Sequence, residues 1–314
     1  MDKLHTRAWY LHNSPDGRIY FKNQQNLAAK LRSTALSLHM EVVDRMLRDR
    51  LAKEFAASLR DCYQDVAVLP PPDEVQIDQE RTTLVIVRPG GQANGLPISS
   101  DWQAWWAQQQ YKNRVLFLSG SRDTYQKVID GARQTRALQS IEDDLKADKT
   151  PSDDPQWRAL DGLRDRVALQ FNSALKEAFD QIVYPSINSA MRATGIDLAF
   201  AGNQSGEGTI RRTLEGAQKS TTKTDDDAFR TKAEARLFTS TDSKVVLWSD
   251  FKRAAAVNTT WPLHRPSALD ELKAECLRRD LWREEGNHVR RGPFPPPEPD
   301  VAIRELSIDD ENDG

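Results

Sequence analysis

Cysteine is scarce in this chain: Cys62 and Cys276 are the only two in 314 residues. They stand far apart and lack the paired spacing of a metal-ligand set, so they read as reduced, buried thiols. That usage points to the cytoplasm. No run approaches the roughly 18 apolar residues that a membrane-spanning helix needs, and the opening MDKLHTRAWY has no apolar secretory core. No membrane partner is expected. An excess of charge is also missing. Lys and Arg number 44 against 47 Asp and Glu, for a net charge of -3. A chain dedicated to nucleic acid over its whole surface would be basic, so any such contact must be a local patch.

The motifs of self-sufficient catalysis are missing as well. No glycine-rich loop ends in Lys-Ser/Thr at a helix start, and the nearest candidate, GNQSGEGT from Gly202 to Thr209, has no lysine in place. His5, His12, His39, His264 and His288 are scattered and share no helix face with a second ligand. There is no Gly-x-Ser-x-Gly elbow. Ser119-Gly120-Ser121 closes a predicted strand, but no base partner accompanies it. Asp270-Glu271 with Lys273 imitates a nuclease signature, yet it falls on a predicted helix and reads as a solvated face. The expectation is a chain with no catalytic residue, no cofactor and no metal of its own. An unrecognised hydrolase is the third reading.

The chain does contain enough apolar material, 38% of residues, for more than one core, with a polar mean hydropathy of -0.68. Pro15-Asp16-Gly17 between two aromatic runs predicts a β-hairpin. Asn26 then reads as an N-cap, followed by apolar residues at helical spacing from Leu27 to Leu59, either one long helix or two with a break near 33–37. The runs TLVIV (83–87) and VLFL (115–118) read as buried strands, with a helix carrying Trp102, Trp105 and Trp106 between them. Those tryptophans could stack on bases, but their spacing favours a core or an interface. Helices follow from Tyr125 and from Trp157, the second broken by Tyr184-Pro185. Two polar stretches, 201–208 and 219–227, read as loops. From 228 the order is helix, strand, helix, turn, helix, hairpin, which is that of a winged helix-turn-helix.

The expected fold is therefore a helix-rich α/β class, with a small α/β unit holding two buried strands, then a helical segment, then a winged-helix-like unit. The divisions are 1–66 (hairpin and long helix), 67–150 (α/β unit), 151–227 (helical segment with loops), 228–300 (winged helix) and 301–314 (a tail with a disordered acidic end). The candidate interaction residues are Arg278, Arg279, Arg283, His288, Arg290 and Arg291, gathered at the end of one helix and along the wing. Arginines there can reach phosphates. Glu275, Asp280, Glu284 and Glu285 are interleaved with them and dilute the field, so protein docking leads and DNA is the alternative.

Three segments together carry a resemblance. They are RIYFKNQQNL from Arg18 to Leu27, NRVLFL from Asn113 to Leu118 with Arg133, Arg136, Ala137 and Ile141 on the following helix, and HVRRGPFP from His288 to Pro295. Their order resembles the C-terminal portion of the AAA+-like ATPases annotated with domain of unknown function 499, bacterial proteins often encoded in anti-phage defence islands beside DNA methyltransferases and helicases. The family's ATP-binding half lies upstream and nothing here matches it, which implies a split gene product, a truncated relative or an excised piece. ATP and magnesium would belong only to a complete family member. The resemblance implies a regulatory, partner-binding role, with an ATPase module or defence-system proteins as partners.

Overall fold

A computed structural model describes residues 11–13, 19–21, 26–120, 124–199, 205–238 and 244–294. The expected hairpin turn at 14–18 and the tail lie outside the described residues. Strands β1 (Leu11–Asn13) and β2 (Ile19–Phe21) pair antiparallel on either side of that turn. Asn26 caps α1 (Leu27–Ser37) by accepting from the Ala29 amide at 3.2 Å. α2 (Met40–Glu54) begins after a break at Leu38 and His39, a few residues later than the sequence suggested. The helix stops at Glu54, so Leu59 is left half exposed rather than on its apolar face.

The central sheet has five strands where the sequence offered two. They are β3 (Asp65–Val68), β4 (Thr83–Ile86), β5 (Val115–Ser119), β6 (Gln181–Pro185) and β7 (Met191–Gly195), side by side in that order. The first three run parallel and the last two antiparallel. Side chains alternate between the faces of a strand. Leu84, Ile86, Leu116, Leu118, Ile182 and Tyr184 meet residues of α2 on one face. On the same face lie α4 (Tyr125–Ala147), α5 (Pro155–Ala178) and α6 (Gly206–Gly216), after α3 (Ser100–Gln108) has crossed the other side. That other face holds Val85, Val115, Phe117 and Val183 against Trp102 and Trp106 of α3. Trp102 meets Phe117 edge-on at 5.6 Å, and the Trp106 indole donates to the Lys112 carbonyl at 3.1 Å. The tryptophans are core, as their spacing favoured.

Strands and helices from 67–150 and from 151–227 thus build one sheet and one core, and the end of α2 joins it through Leu47, Leu51 and Phe55. A smaller core of α1, α4 and α5 extends beyond the sheet through Leu31, Leu138, Ile141 and Leu160. The stretch expected as a glycine loop at 201–208 becomes helical from Gly206, where Ser205 caps α6 by accepting from the Gly208 amide. The winged-helix-like unit follows as α7 (Asp227–Leu237), β8 (Val245–Leu247), α8 (Trp248–Val257), α9 (Ala268–Arg278), β9 (Trp282–Glu285) and β10 (His288–Arg291). Its three strands lie in the order β8-β10-β9, all antiparallel. Its own core is built on Phe229, Phe251, Trp261, Leu272 and Trp282.

α4 and α5 form an antiparallel pair whose approach is set by Gly131. A Cβ there would lie 2.5 Å from Phe171 Cδ2, and the Phe171 ring is itself buried in the core and cannot retreat. Gly131→Ala should lower stability in urea unfolding by about 1–3 kcal/mol, because overpacking outweighs the helix propensity gained. Gly162→Ala on α5, where no heavy atom lies within 4 Å, should instead raise it by up to about 1 kcal/mol.

Candidate functional site

The six candidate residues lie at the end of α9 and on the β9–β10 hairpin, where His288, Arg283 and Arg290 share one face and Arg291 lies on the other with the buried Val289 and Trp282. The strands are turned at Gly286, whose φ of 62° suits a residue without a Cβ. Arg283 and Arg290 stand directly opposite each other in the β9–β10 register. Two like charges so placed repel, and each is drawn off by a carboxylate. Arg283 grips Asp280 with two contacts at 3.1 and 3.3 Å. Arg290 reaches Glu285 in the same bidentate way, at 2.8 and 3.1 Å. At the end of α9, Arg278 holds Glu275 at 2.6 and 2.9 Å. Arg279 crosses to Asp227 of α7 at 2.9 Å, and Arg291 reaches Glu234 at 3.5 Å. The Arg279 hydrogen bond holds the Asp227 carboxyl below its ordinary range, and Arg278 does the same for Glu275. His288 is exposed on β10. All five arginines of the candidate patch are therefore committed to a carboxylate of the chain. The outer face of α9 is likewise mixed, with Asp270 bound to Lys252, Glu271 to Arg265 and Lys273 to Glu284.

The carboxylates at 275, 280 and 285 were visible in the sequence. Asp227 and Glu234 were not, because they come from a helix some fifty residues away. Glu234 is buried and accepts the Trp282 indole at 3.0 Å and Arg230 at 3.0 Å as well. It ties the wing to α7 as well as neutralising it.

Sequence reasoning missed a junction between the α/β unit and the winged-helix-like unit. Asn113, fully buried in the turn before β5, donates its amide to the carbonyls of Ala255 at 2.9 Å and Trp261 at 3.2 Å. Its Oδ1 accepts from the Lys219 Nζ. The same Nζ donates to the Thr259 carbonyl at 2.7 Å and the Trp261 carbonyl at 3.2 Å. Burial, and then the charges of Arg114 and Arg236, push the Lys219 amine down to about 7. A perturbed lysine can signal nucleophilic chemistry. Here three oxygens surround the nitrogen, so a lone pair would face an acceptor rather than an incoming carbon. Backbone pairing reinforces the junction: the Leu263 amide donates to Lys219 O at 2.7 Å and the Thr221 amide to Leu263 O at 2.9 Å. Arg114 is 3% exposed and donates to the Gln79 carbonyl at 2.8 Å. Burial brings it down to about 10, against the opposing pull of Asp78 and Glu80.

Cys62 and Cys276 are free and buried, and desolvation pushes both thiols up, Cys276 to about 12, so neither is a thiolate nucleophile at neutral pH. Among the described residues no group of three or more His, Cys, Asp or Glu is placed to hold a metal ion. No helix among them is long and apolar enough to cross a membrane. No protein-family model, curated protein or solved structure matches the chain.

Asn113→Ala should cost about 2–4 kcal/mol, since it leaves buried acceptors and a lysine without a partner. Hydrogen exchange at the Leu263 amide should quicken with it, and an unchanged exchange rate would dissociate Asn113 from the junction. A second expectation concerns pH. His264 Nδ1 donates to the Arg265 carbonyl at 2.9 Å while Nε2 is buried without a partner. Burial, followed by the Arg114 charge, pushes the ring from 6.5 down to about 4. The unfolded chain takes up this proton before the folded one does, so stability is full above pH 6.5 and is lost as pH falls toward 4. Urea titrations across that window should show a steeper loss for the wild type than for His264→Gln.

Proposed function

We propose that this chain is a non-catalytic accessory portion of an AAA+-like ATPase, of the kind found in anti-phage defence, and that it docks through its winged-helix face on an ATPase module or partner proteins. The observation that carries this reading is the pairing of every arginine in the candidate patch. A phosphate backbone is bound by cations that exchange their counterions for it. Arginines already held bidentate by carboxylates would have to give up those partners first. A mosaic of fixed, paired charges instead suits a protein surface, where complementary charges set register and partner choice more than raw affinity. The buried junction adds to this. It fixes the winged helix to the α/β unit, so that a partner seated on the wing acts on the whole chain. The link to the ATPase family rests on the resemblance of the three quoted segments.

DNA is the alternative that the same experiment decides. The purified chain should turn over no ATP, and at physiological salt it should hold duplex DNA no more tightly than roughly 10 μM, within the range of non-specific contact. Added to the ATP-binding half of a complete family member, it should change that half's ATPase rate, and Arg290→Glu with Arg283→Glu should diminish the change. Nanomolar duplex binding with a steep salt dependence, lost in the same double variant, would replace docking with DNA recognition.

A further inference from the structure

The wing arginines are paired, but another set of cations is not. A cavity of about 650 Å³ opens where β7, the α6–α7 connection, α7 and the α8–α9 loop converge, so one wall belongs to the α/β unit and another to the winged helix. Arg192 enters it from the edge strand β7, and Lys223 from the connection. Lys232 and Arg236 line it four residues apart on α7, a spacing that puts them on the same helix face. Lys219, held in the junction, forms part of its floor.

Among the described residues, the side chains of Arg192, Lys223 and Lys232 have neither an ion pair nor a hydrogen-bonded acceptor. Arg236 has only the Thr260 carbonyl at 3.2 Å and the Trp261 ring, 5.4 Å from its guanidinium. Two carboxylates share the lining, and both are occupied. Asp226 accepts from the Phe229 amide at 2.7 Å as the cap of α7, and Glu215 accepts from the Thr222 hydroxyl at 3.1 Å. A chain with an excess of acidic residues has thus gathered four cations without an ion pair around one cavity, against two carboxylates in the same lining.

We infer that this cavity binds a small anion carrying two or more phosphate groups, such as a free nucleotide or an inorganic polyphosphate. Its volume lies within the roughly 300–1,000 Å³ of small-molecule sites. Cations approach from both walls, which suits several charged oxygens close together rather than a single one. Lysine and arginine donate charge-assisted hydrogen bonds to phosphate oxygens, and the pairing is roughly twice as strong as between neutral groups. The arrangement does not suit a nucleic-acid strand. The cations ring a recess rather than track along a surface, and the lining aromatics Tyr184 and Phe229 are each 4% exposed, leaving no free face for a base to stack on. Recognition therefore rests on the phosphates. A bound polyphosphate would bridge Arg192 on β7 to Lys232 and Arg236 on α7 and would brace the junction from outside.

The test is titration of the purified chain with tripolyphosphate, ADP and orthophosphate by calorimetry, with thermal unfolding in parallel and a single-stranded oligonucleotide as a competing arm. Tripolyphosphate and ADP should bind saturably and raise the melting temperature, and orthophosphate should bind more weakly. Arg192→Gln and Lys232→Gln, both at exposed positions, should each weaken tripolyphosphate binding about tenfold, the loss expected of one charge-assisted hydrogen bond. Lys223→Gln combined with Lys232→Gln should abolish the thermal shift. Arg158→Gln, an exposed cation on α5 remote from the cavity, should leave both readouts unchanged. The inference is overturned by the absence of saturable binding, by equal binding in all variants, or by an oligonucleotide that binds and is not displaced by tripolyphosphate. None of these outcomes depends on whether the wing docks on a protein.

Discussion

The Lys219 amine and the Asn113 amide meet in a space closed to water, and their partners come from three different stretches of chain. Asn113 belongs to the α/β unit, Lys219 to the connection after α6, and the carbonyls of Ala255, Thr259 and Trp261 to the winged helix. A buried polar group without a partner costs far more than a satisfied one returns. Separating the two units would orphan several such groups at once, so the winged helix has one orientation. The same logic runs back along α6. Glu207, fully buried at its first turn, accepts the Leu59 and Arg60 amides at 2.7 and 2.6 Å, which pins the segment after α2. From there Ile210 and Leu214 seat α6 in the main core, and Lys219 carries the connection onward. The cavity lies against this junction and inherits its shape from it.

The sequence made legible those elements whose burial follows a simple period. TLVIV and VLFL are buried on both faces and read as continuous apolar runs. α4 and α5 carry long apolar stripes, and the winged helix announced itself by the order of its parts. β3, β6 and β7 escaped because nothing in them repeats. The residues of β3, DVAV, are all half buried. QIVYP looks like the end of a helix because of its Tyr-Pro. MRATG, the edge strand β7, has no apolar alternation, and none of its residues is fully buried. Each is recruited by a neighbour already in the sheet, which is a tertiary effect.

The site followed the same division. A cluster of arginines beside interleaved carboxylates can be read from a string of letters, and the dilution of charge it suggested is realised as direct pairs at 275, 280 and 285. Partners drawn from α7 cannot be read in this way. Nor can the burial of Asn113, Arg114 and Lys219, which in the sequence look like ordinary polar residues flanking a strand or within a loop. The NRVLFL segment carried part of the family resemblance through its apolar run. In the folded chain its Asn113 is the residue that joins the units.

Magnitudes separate the roles of the two charged regions. Exposed ion pairs such as the four that hold Arg278, Arg279, Arg283 and Arg290 contribute about 0–1 kcal/mol each, so stability alone gives little reason for them. Their larger effect is on the field. A paired arginine and carboxylate act at a distance as a dipole, whose potential decays faster than that of a lone charge and is further screened beyond about 8 Å at physiological salt. The wing therefore has little reach toward a polyanion and offers its charges only at contact, where a partner of matching shape can use them. Around the cavity Arg192, Lys223, Lys232 and Arg236 have no ion-pair partner among the described residues, and the low-dielectric wall of the junction behind them limits screening. One chain thus presents two surfaces of similar arginine and lysine content but opposite electrostatic character, and the difference lies in where α7 places its acidic residues. Asp227 and Glu234 serve the wing, and none of the acidic residues of α7 pairs with Lys232 or Arg236.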